Sequence, residues 1–445
     1  MTKRRLVVVG SGPAGIEAAL EGAALGAATS LVVAETVGGN ALAHSLVPSK
    51  VLIAQAVALG RHASLGCRID PLDWPAIGRQ VAVEQRLEQA RAEQRLADAQ
   101  VTLVSGEAKV HRAAEGFVVE IDPGGGASPI ALRADAVVGA TGSLAVLAGG
   151  MAPDGRRVLL PRHLPGPTPP PSPLAVLGAG IAGVEFASAL VRLGIDVILV
   201  ADQARILPSF SAHAAAVSAS RFADSGGQLV TGFHVEEVQP VGDAVEIRAR
   251  DGRRLEAAAV LVNLGRQPAL APFGEMTRDA SGLLFHHDGF ALAGDAIGTA
   301  TMTEGAARRS GRAAARLVLG APGGEWTVDW EPRVAFSLPP VAAFGPRPDD
   351  PSIAEDVERR TVALDELMAC RLDACGDGYA TALIDATGAV VGFEALGESA
   401  VELTAWAALW RESAIHLGAI SHLPIPSPSP FELFDRLETG AKNTS

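Results

Sequence analysis

The chain opens on a short apolar run, Leu6–Val9, which breaks at Gly10-Ser11-Gly12-Pro13-Ala14-Gly15. A helix-compatible stretch, Ile16–Leu25, follows, and a second apolar run, Ser30–Ala34, ends at Glu35. This pattern predicts a strand, a Gly-rich turn, a helix, a strand and an acid. In such a unit the glycines permit a tight turn and the close approach of a pyrophosphate, which rests on the helix N-terminus. Glu35 lies 20 residues after Gly15, where a carboxylate can accept hydrogen bonds from ribose hydroxyls. The unit is therefore read as a dinucleotide site.

The pattern then changes period. Residues 75–100 carry charged and Ala-rich positions at helical spacing, with many Glu/Arg pairs three or four apart, and predict a solvated surface helix. The segments VTLVSGEAKV and GFVVEI read as strands, followed by Ala136–Ser143. Pro165–Pro173 is Pro-dense and stiff, a natural boundary. Immediately after it the first pattern repeats: strand Leu174–Leu177, turn Gly178-Ala179-Gly180-Ile181-Ala182-Gly183, helix Val184–Leu193, strand Asp196–Val200. Two such units are far more specific than one and imply two nucleotides, one passing electrons to the other. In the second unit the strand ends at Ala201, with Asp202 one place later. A helix is predicted over Thr303–Leu319, a hairpin over Gly378–Ala395 with its turn at Thr387-Gly388, and an apolar helix over Leu403–Trp410.

Composition narrows the partners. With 445 residues, 48% of them hydrophobic, the chain is long enough for two or three cores. Its net charge of −13 argues against nucleic acid or an anionic membrane as partner. No apolar run approaches the roughly 18–20 residues of a bilayer span, so no membrane insertion is expected. The opening MTKRRLVVVG reads as a strand rather than a cleavable leader. Three cysteines, Cys67, Cys370 and Cys375, make no disulfide framework, so a cytoplasmic location is expected. No metal is expected.

One further stretch brings these elements together. Val37–Lys50 reads VGGNALAHSLVPSK and resembles the active-site segment GG-T-C-x-x-x-x-C-x-P-S-K of the pyridine nucleotide-disulfide oxidoreductases. It keeps Gly38, Gly39, Pro48, Ser49 and Lys50, but Ala41 and Leu46 stand where that family has its redox cysteines. Ala136–Ser143 resembles the family's ATGS segment, Gly265-Arg266-Gln267-Pro268-Ala269 its GRxPN element, and Ala291–Asp295 its second FAD segment. Phe336–Gly345 tracks the interface-domain segment F/Y-T-x-P-E-x-A-x-V-G, with Pro340 in place of the Glu.

The resemblance implies an α/β fold of two Rossmann-like dinucleotide-binding domains, for FAD and NAD(P), plus a C-terminal α+β interface domain that forms a homodimer. The expected boundaries are 1–148 and 273–325 for the FAD domain, 165–272 for the NAD(P) domain and 326–445 for the interface domain. Implied FAD contacts are Gly10, Gly12, Pro13, Ala14, Gly15, Glu35, Gly38, Gly39, Asn40, Lys50, Thr141, Gly142, Gly294, Asp295 and Thr303. Asp295 would bond the ribityl chain, and the helix after Thr303 would point at the pyrimidine end of the flavin. Lys50 and Glu185 match a family pair beside flavin N5. The nicotinamide nucleotide would meet Gly178, Gly180, Ile181, Gly183, Glu185, Asp202 and Gly265. NADP-using relatives place an Arg near position 202; Asp202 would repel a 2′-phosphate, although Arg205 could compensate, and the balance favours NADH over NADPH.

The family's C-terminal His-Glu pair, which enters the partner's active site, is broken. Neither register of Ser421–Glu432 supplies the histidine; aligning Pro426 puts Ile425 there, and a shift of two puts Ser427 there and restores Glu432. His422 is a nearby candidate acid/base group. His44 and Ser45 could face the space vacated by the cysteines, although a polar helix surface is the commoner reading. Cys370 and Cys375 repeat the C-x4-C spacing, but as ordinary thiols of the interface domain rather than a migrated redox pair.

Neither Ala41 nor Leu46 can form a disulfide or a thiolate adduct. Three functions fit. An NAD(P)H:acceptor oxidoreductase would pass electrons from FAD directly to a flat acceptor such as a quinone against an apolar face at Ala41 and Leu46. A biosynthetic dehydrogenase or oxidase would oxidise a small molecule and use oxygen, and the loss of the acid at Ala201 favours it. A non-catalytic binding or scaffold protein would keep FAD, or even nothing, as structural support.

Overall fold

The computed structural model describes residues 3–64, 66, 72–274, 289–298, 302–324, 332–372, 378–413, 415–416, 419 and 424–439. His422, Cys67 and Cys375 lie outside the described residues. The two glycine-turn units build two parallel five-stranded sheets. The first orders its strands 290–292, 136–139, 5–9, 28–33 and 102–105. Its register pairs Leu6 with Thr29 and Ala136, and Val8 with Leu31 and Val138. The second orders 228–230, 197–200, 174–177, 259–262 and 158–159. Leu174–Leu177 is buried throughout, as a central strand covered on both faces must be.

The strand Phe290–Leu292 pairs in parallel with Val137–Gly139. The chain therefore leaves the first sheet, builds the second, and returns to complete the first. Each sheet carries a three-stranded antiparallel layer, at 107–134 and 235–257. The last sheet is antiparallel, in the order 333–335, 341–344, 390–396, 379–384 and 358–363.

Helix α1 spans Pro13–Ala24. It begins three residues before the hydrophobic pattern does, because Pro13 at the first helical position presets φ and lacks only an N–H that would have no intrahelical partner. A π-helical turn, Ala41–Ser45, leads into α2, Leu46–Ser64. Helix α3, Trp74–Asp98, is capped by Asp73 accepting from Ala76 N, and buries Trp74, Ile77, Val81 and Leu96 while its other faces meet solvent. Helix α4, Ile181–Arg192, again begins three residues ahead of the apolar pattern, directly after Gly180. Helices α5, Ala212–Asp224, and α6, Glu304–Leu319, are capped by Ser211 and Thr303. The last sheet carries α7, Met368–Leu372, α8, Ala400–Glu412, and α9, Leu433–Thr439. The predicted hairpin turn is present, with Asp385 Oδ1 accepting from Thr387 N and Gly388 at φ +87°.

The expectation about apolar runs needs correction. The continuous helix Ala41–His62 has the length and mean hydropathy, 1.4, of a bilayer span, although His44, Ser49 and Lys50 interrupt its sequence. Its apolar side chains are used within the protein: Val51, Leu52, Ile53 and Ala56 share one core with Val184, Ala187 and Leu190 of α4.

Buried polar groups also tie the parts together. Glu17 of α1 is bonded by Arg95 of α3 and Arg312 of α6. Burial alone would raise its pKa, but the two guanidinium partners outweigh that and hold it below the usual carboxylate range. Glu394, fully buried in the last sheet, accepts from Tyr379 Oη and from both N and Oγ of Ser211. That carboxylate joins the last sheet to the cap of α5. Burial, followed by the charge of Glu394, pushes the Tyr379 phenol upward and keeps it neutral.

Candidate active site

The two turns divide their glycines in the same way. A Cβ on Gly10 would meet Ala140 O at 2.3 Å, and one on Gly15 would meet Gly10 O at 1.8 Å. A Cβ on Gly178 would meet Asn263 O at 2.2 Å, and one on Gly183 would meet Gly178 O at 1.8 Å. Those four positions are closed by the protein's own packing. Gly12 and Gly180 are different: a Cβ at either meets nothing within 4 Å. Both have ordinary extended backbone, φ −71°, and both cap a helix N-terminus without a side-chain bond. Glycine at these two positions leaves room for something outside the protein, which is the place of a pyrophosphate. The residues present thus fit two dinucleotides. Pro13, Ala14 and Ile181 form the first turns behind those openings.

Gly38 and Gly39 close over the first turn. Gly38 N donates to Ser11 O at 2.8 Å, and Ser11 Oγ donates to Thr36 O at 2.8 Å. Gly38, at φ +105°, has Leu42 tucked against it, and Gly39, at φ +57°, lies against Gly12. The following π turn points its polar side chains backwards. Asn40 and Ser45 bond each other, and His44 Nε2 lies 3.1 Å from Glu35 Oε2. His44 and Ser45 thus engage Glu35 and Asn40 rather than each other. The sequence placed Glu35 by a ribose, but gave no sign that His44 would hold it. Ala41 and Leu46 are both half-buried.

Lys50 and Glu185 meet across 135 residues of sequence. Lys50 Nζ donates to Glu185 Oε2 at 3.0 Å, and the carboxylate side chain is 8% exposed. Phe336 N donates to the other oxygen, Oε1, at 2.9 Å. The Phe336 ring lies beneath the ammonium, 4.1 Å from Nζ to its centroid. Sequence reasoning missed Phe336.

Asp295 is held on both oxygens. Ser143 Oγ donates to Oδ2 at 2.7 Å and Met302 N to Oδ1 at 2.8 Å. Arg266 Nε in turn donates to Ser143 Oγ at 2.7 Å, because strand 266–268 pairs with strand 143–145. Burial lowers the Arg266 pKa, with the charge of Asp295 working against that shift. Arg266 is thus more than a fold element: it backs the carboxylate expected at the ribityl chain. Gly294 N donates to Ser310 Oγ at 2.8 Å, Thr141 Oγ1 to Ala269 O at 2.6 Å, and Thr303 caps α6 through its own hydroxyl. A Cβ on Gly142 or Gly265 would also meet open space.

Asp202 is exposed beyond the end of strand 197–200, and Ala201 is buried. Arg205 turns inwards: Nη2 donates to Pro208 O at 3.3 Å and Nη1 is buried without a partner. Glu432 accepts from Ser429 N at 3.2 Å in a capping box, and Ile425 packs on the core of the last sheet. Cys370 is buried in that same core, far from either glycine turn in the fold. Among the described residues, no three His, Cys, Asp or Glu side chains converge as a metal-holding group.

The family model for the pyridine nucleotide-disulphide oxidoreductases matches residues 4–300. The NAD(P)H dehydrogenase (quinone) of Mycobacterium tuberculosis is 31% identical over 283 residues, covering 61% of this chain and only 57% of that protein. The dihydrolipoyl dehydrogenase of Halobacterium salinarum is 26% identical over 449 residues, covering 93% of this chain and 90% of its own. Among solved structures, LpdA from Mycobacterium tuberculosis superposes with a TM-score of 0.89 at 25% identity, over 98% of this chain and 99% of that one. The two glycine turns, the interrupted sheet and the sequence match agree, and the chain belongs to the pyridine nucleotide-disulphide oxidoreductase family, which uses FAD and NAD(P)H.

Proposed function

We propose that the protein is an FAD-dependent NAD(P)H:acceptor oxidoreductase that does not reduce disulfides. Bound FAD supplies the redox chemistry, taking a hydride from NAD(P)H and giving the electron pair directly to an acceptor such as a quinone. The observation that carries this reading is the site itself: the Lys50–Glu185 pair is intact, while Ala41 and Leu46 occupy the thiol positions. The side chains at 41 and 46 offer an apolar wall and no relay. The quinone dehydrogenase among the relatives supports the acceptor class.

NADH is proposed as the preferred donor. Asp202 would repel a 2′-phosphate, and the inward turn of Arg205 removes the cation that could offset it. A homodimer is proposed as the working form; exposed Trp406 and Leu409 on α8 supply apolar surface for it.

Anaerobic titration of the yellow protein tests the reading. NADH should bleach the flavin band with a single two-electron equivalent, since no dithiol stores a second pair, and NADPH should do so at higher concentration. Lipoamide, oxidised glutathione and small disulfides should give no turnover above the oxygen background. A second equivalent consumed, or disulfide turnover, would sink the proposal. Failure of both nucleotides to bleach the flavin would favour the small-molecule oxidase, and a colourless protein the scaffold.

A further inference from the structure

Three separate parts of the chain meet at one ammonium group. Lys50 comes from α2, Glu185 from α4, and Phe336 from the loop after strand Arg333–Ala335. Glu185 is almost sealed and has one oxygen on Lys50 and the other on Phe336 N. Lys50 keeps 31% of its side chain exposed, so its ammonium is not locked by burial alone. A flexible four-carbon stem with one hydrogen bond would leave that charge free to swing about its partner. The Phe336 ring removes this freedom by presenting its π face 4.1 Å from Nζ.

The backbone that carries the ring is itself held. The strand before it pairs with Val341–Ala343, its own N–H is spent on Glu185, and the next residue closes a local bond from Ser337 Oγ to Pro339 O at 2.7 Å. The ring thus flanks the cation on one side and the carboxylate flanks it on another, and the exposed part of Lys50 forms its open side.

We infer that Phe336 is a positioning residue for Lys50: its ring face fixes the ammonium against Glu185 so that the positive charge is directed to the open side, where the flavin is bound. The inference rests on the flavin assignment of the preceding section, and goes beyond it in giving the last sheet's own domain a part in tuning the cofactor within the same chain. A cation held there favours the negatively charged reduced flavin over the neutral oxidised form. Loss of that placement is expected to shift the equilibrium by on the order of tenfold, because the cation's stabilisation of the reduced flavin depends on its distance and direction.

The test is the midpoint potential of the FAD holoprotein, measured with dithionite and a reference dye, for wild type, Phe336→Leu, Phe336→Tyr and Lys50→Ala. Phe336→Leu keeps an apolar side chain and the backbone donor but removes the π face. Its potential should fall by about 30 mV, the two-electron equivalent of a tenfold change. Phe336→Tyr should restore the wild-type potential, and Phe336→Leu should have no effect in the Lys50→Ala background. A merely structural ring would also be rescued by tyrosine, but its loss would lower the potential whether or not Lys50 is present. An unchanged potential in Phe336→Leu, or an equal fall with Lys50 absent, overturns the inference. Because dithionite replaces NAD(P)H, the outcome stands apart from whether either nucleotide reduces the flavin.

Discussion

Lys50→Ala should slow reduction of the flavin by NADH by about 10²-fold while the protein stays yellow, the scale expected when one preorganised charge is removed from a site. The cradle proposed for the cofactor is elsewhere, in Gly10–Gly15, Gly38, Gly39 and Asp295, none of which uses the ammonium. Removing the cation also leaves the Glu185 carboxylate, 8% exposed, with the Phe336 N–H as its one remaining donor among the described residues. That second effect threatens stability as well as rate, because truncating one member of a buried pair typically costs about 3–5 kcal/mol. The figure is an upper bound here, since Lys50 is itself about a third exposed and water can reach the vacated space. Lys50→Met, which keeps the apolar stem, and the double variant with Glu185→Gln separate the two effects. If charge placement is the role, both should remain slow while the double variant recovers stability. Stopped-flow reduction and a thermal melt are the measurements. Loss of FAD with unchanged reduction in the remaining holoprotein would contradict the role.

The sequence carried the parts of this site that depend on backbone. Gly10, Gly12 and Gly15 announce a turn because spacing is local, and the second set at Gly178, Gly180 and Gly183 repeats it. Lys50 and Glu185 were paired only through the family's example, being 135 residues apart. What stayed illegible are the side-chain meetings that no local period encodes. Phe336 sits in a recognisable segment, yet nothing in that segment says its ring faces a lysine. His44 sits in a recognisable motif too, yet its meeting with Glu35 comes through a π turn that no local period announces. Arg266 too lies in a recognisable segment, while its reach through Ser143 to Asp295 is written in no local spacing.

The same glycine logic gives a pair of substitutions that separates the two nucleotide sites. Gly12→Ala places a methyl where the protein has nothing within 4 Å, on backbone at φ −71° that alanine readily adopts. The apoprotein should therefore melt within about 0.5 kcal/mol of wild type, as benign substitutions do. The pyrophosphate, however, must pack directly on this turn, and the methyl displaces it. FAD affinity should fall by about 10²-fold, or about 2.7 kcal/mol. Gly180→Ala makes the same change in the second unit. That variant should purify yellow and be reduced normally by dithionite, yet need about 10²-fold more NADH for half-maximal reduction. Gly15→Ala and Gly183→Ala are the contrast, because their methyls would lie 1.8 Å from a carbonyl oxygen and should damage folding rather than affinity. A Gly12→Ala protein that binds FAD as wild type does would mean that the opening over the first turn is not where the pyrophosphate lies. Normal NADH dependence in Gly180→Ala would mean that NADH reaches the flavin without resting its pyrophosphate on the second turn, and would overturn the assignment of that opening.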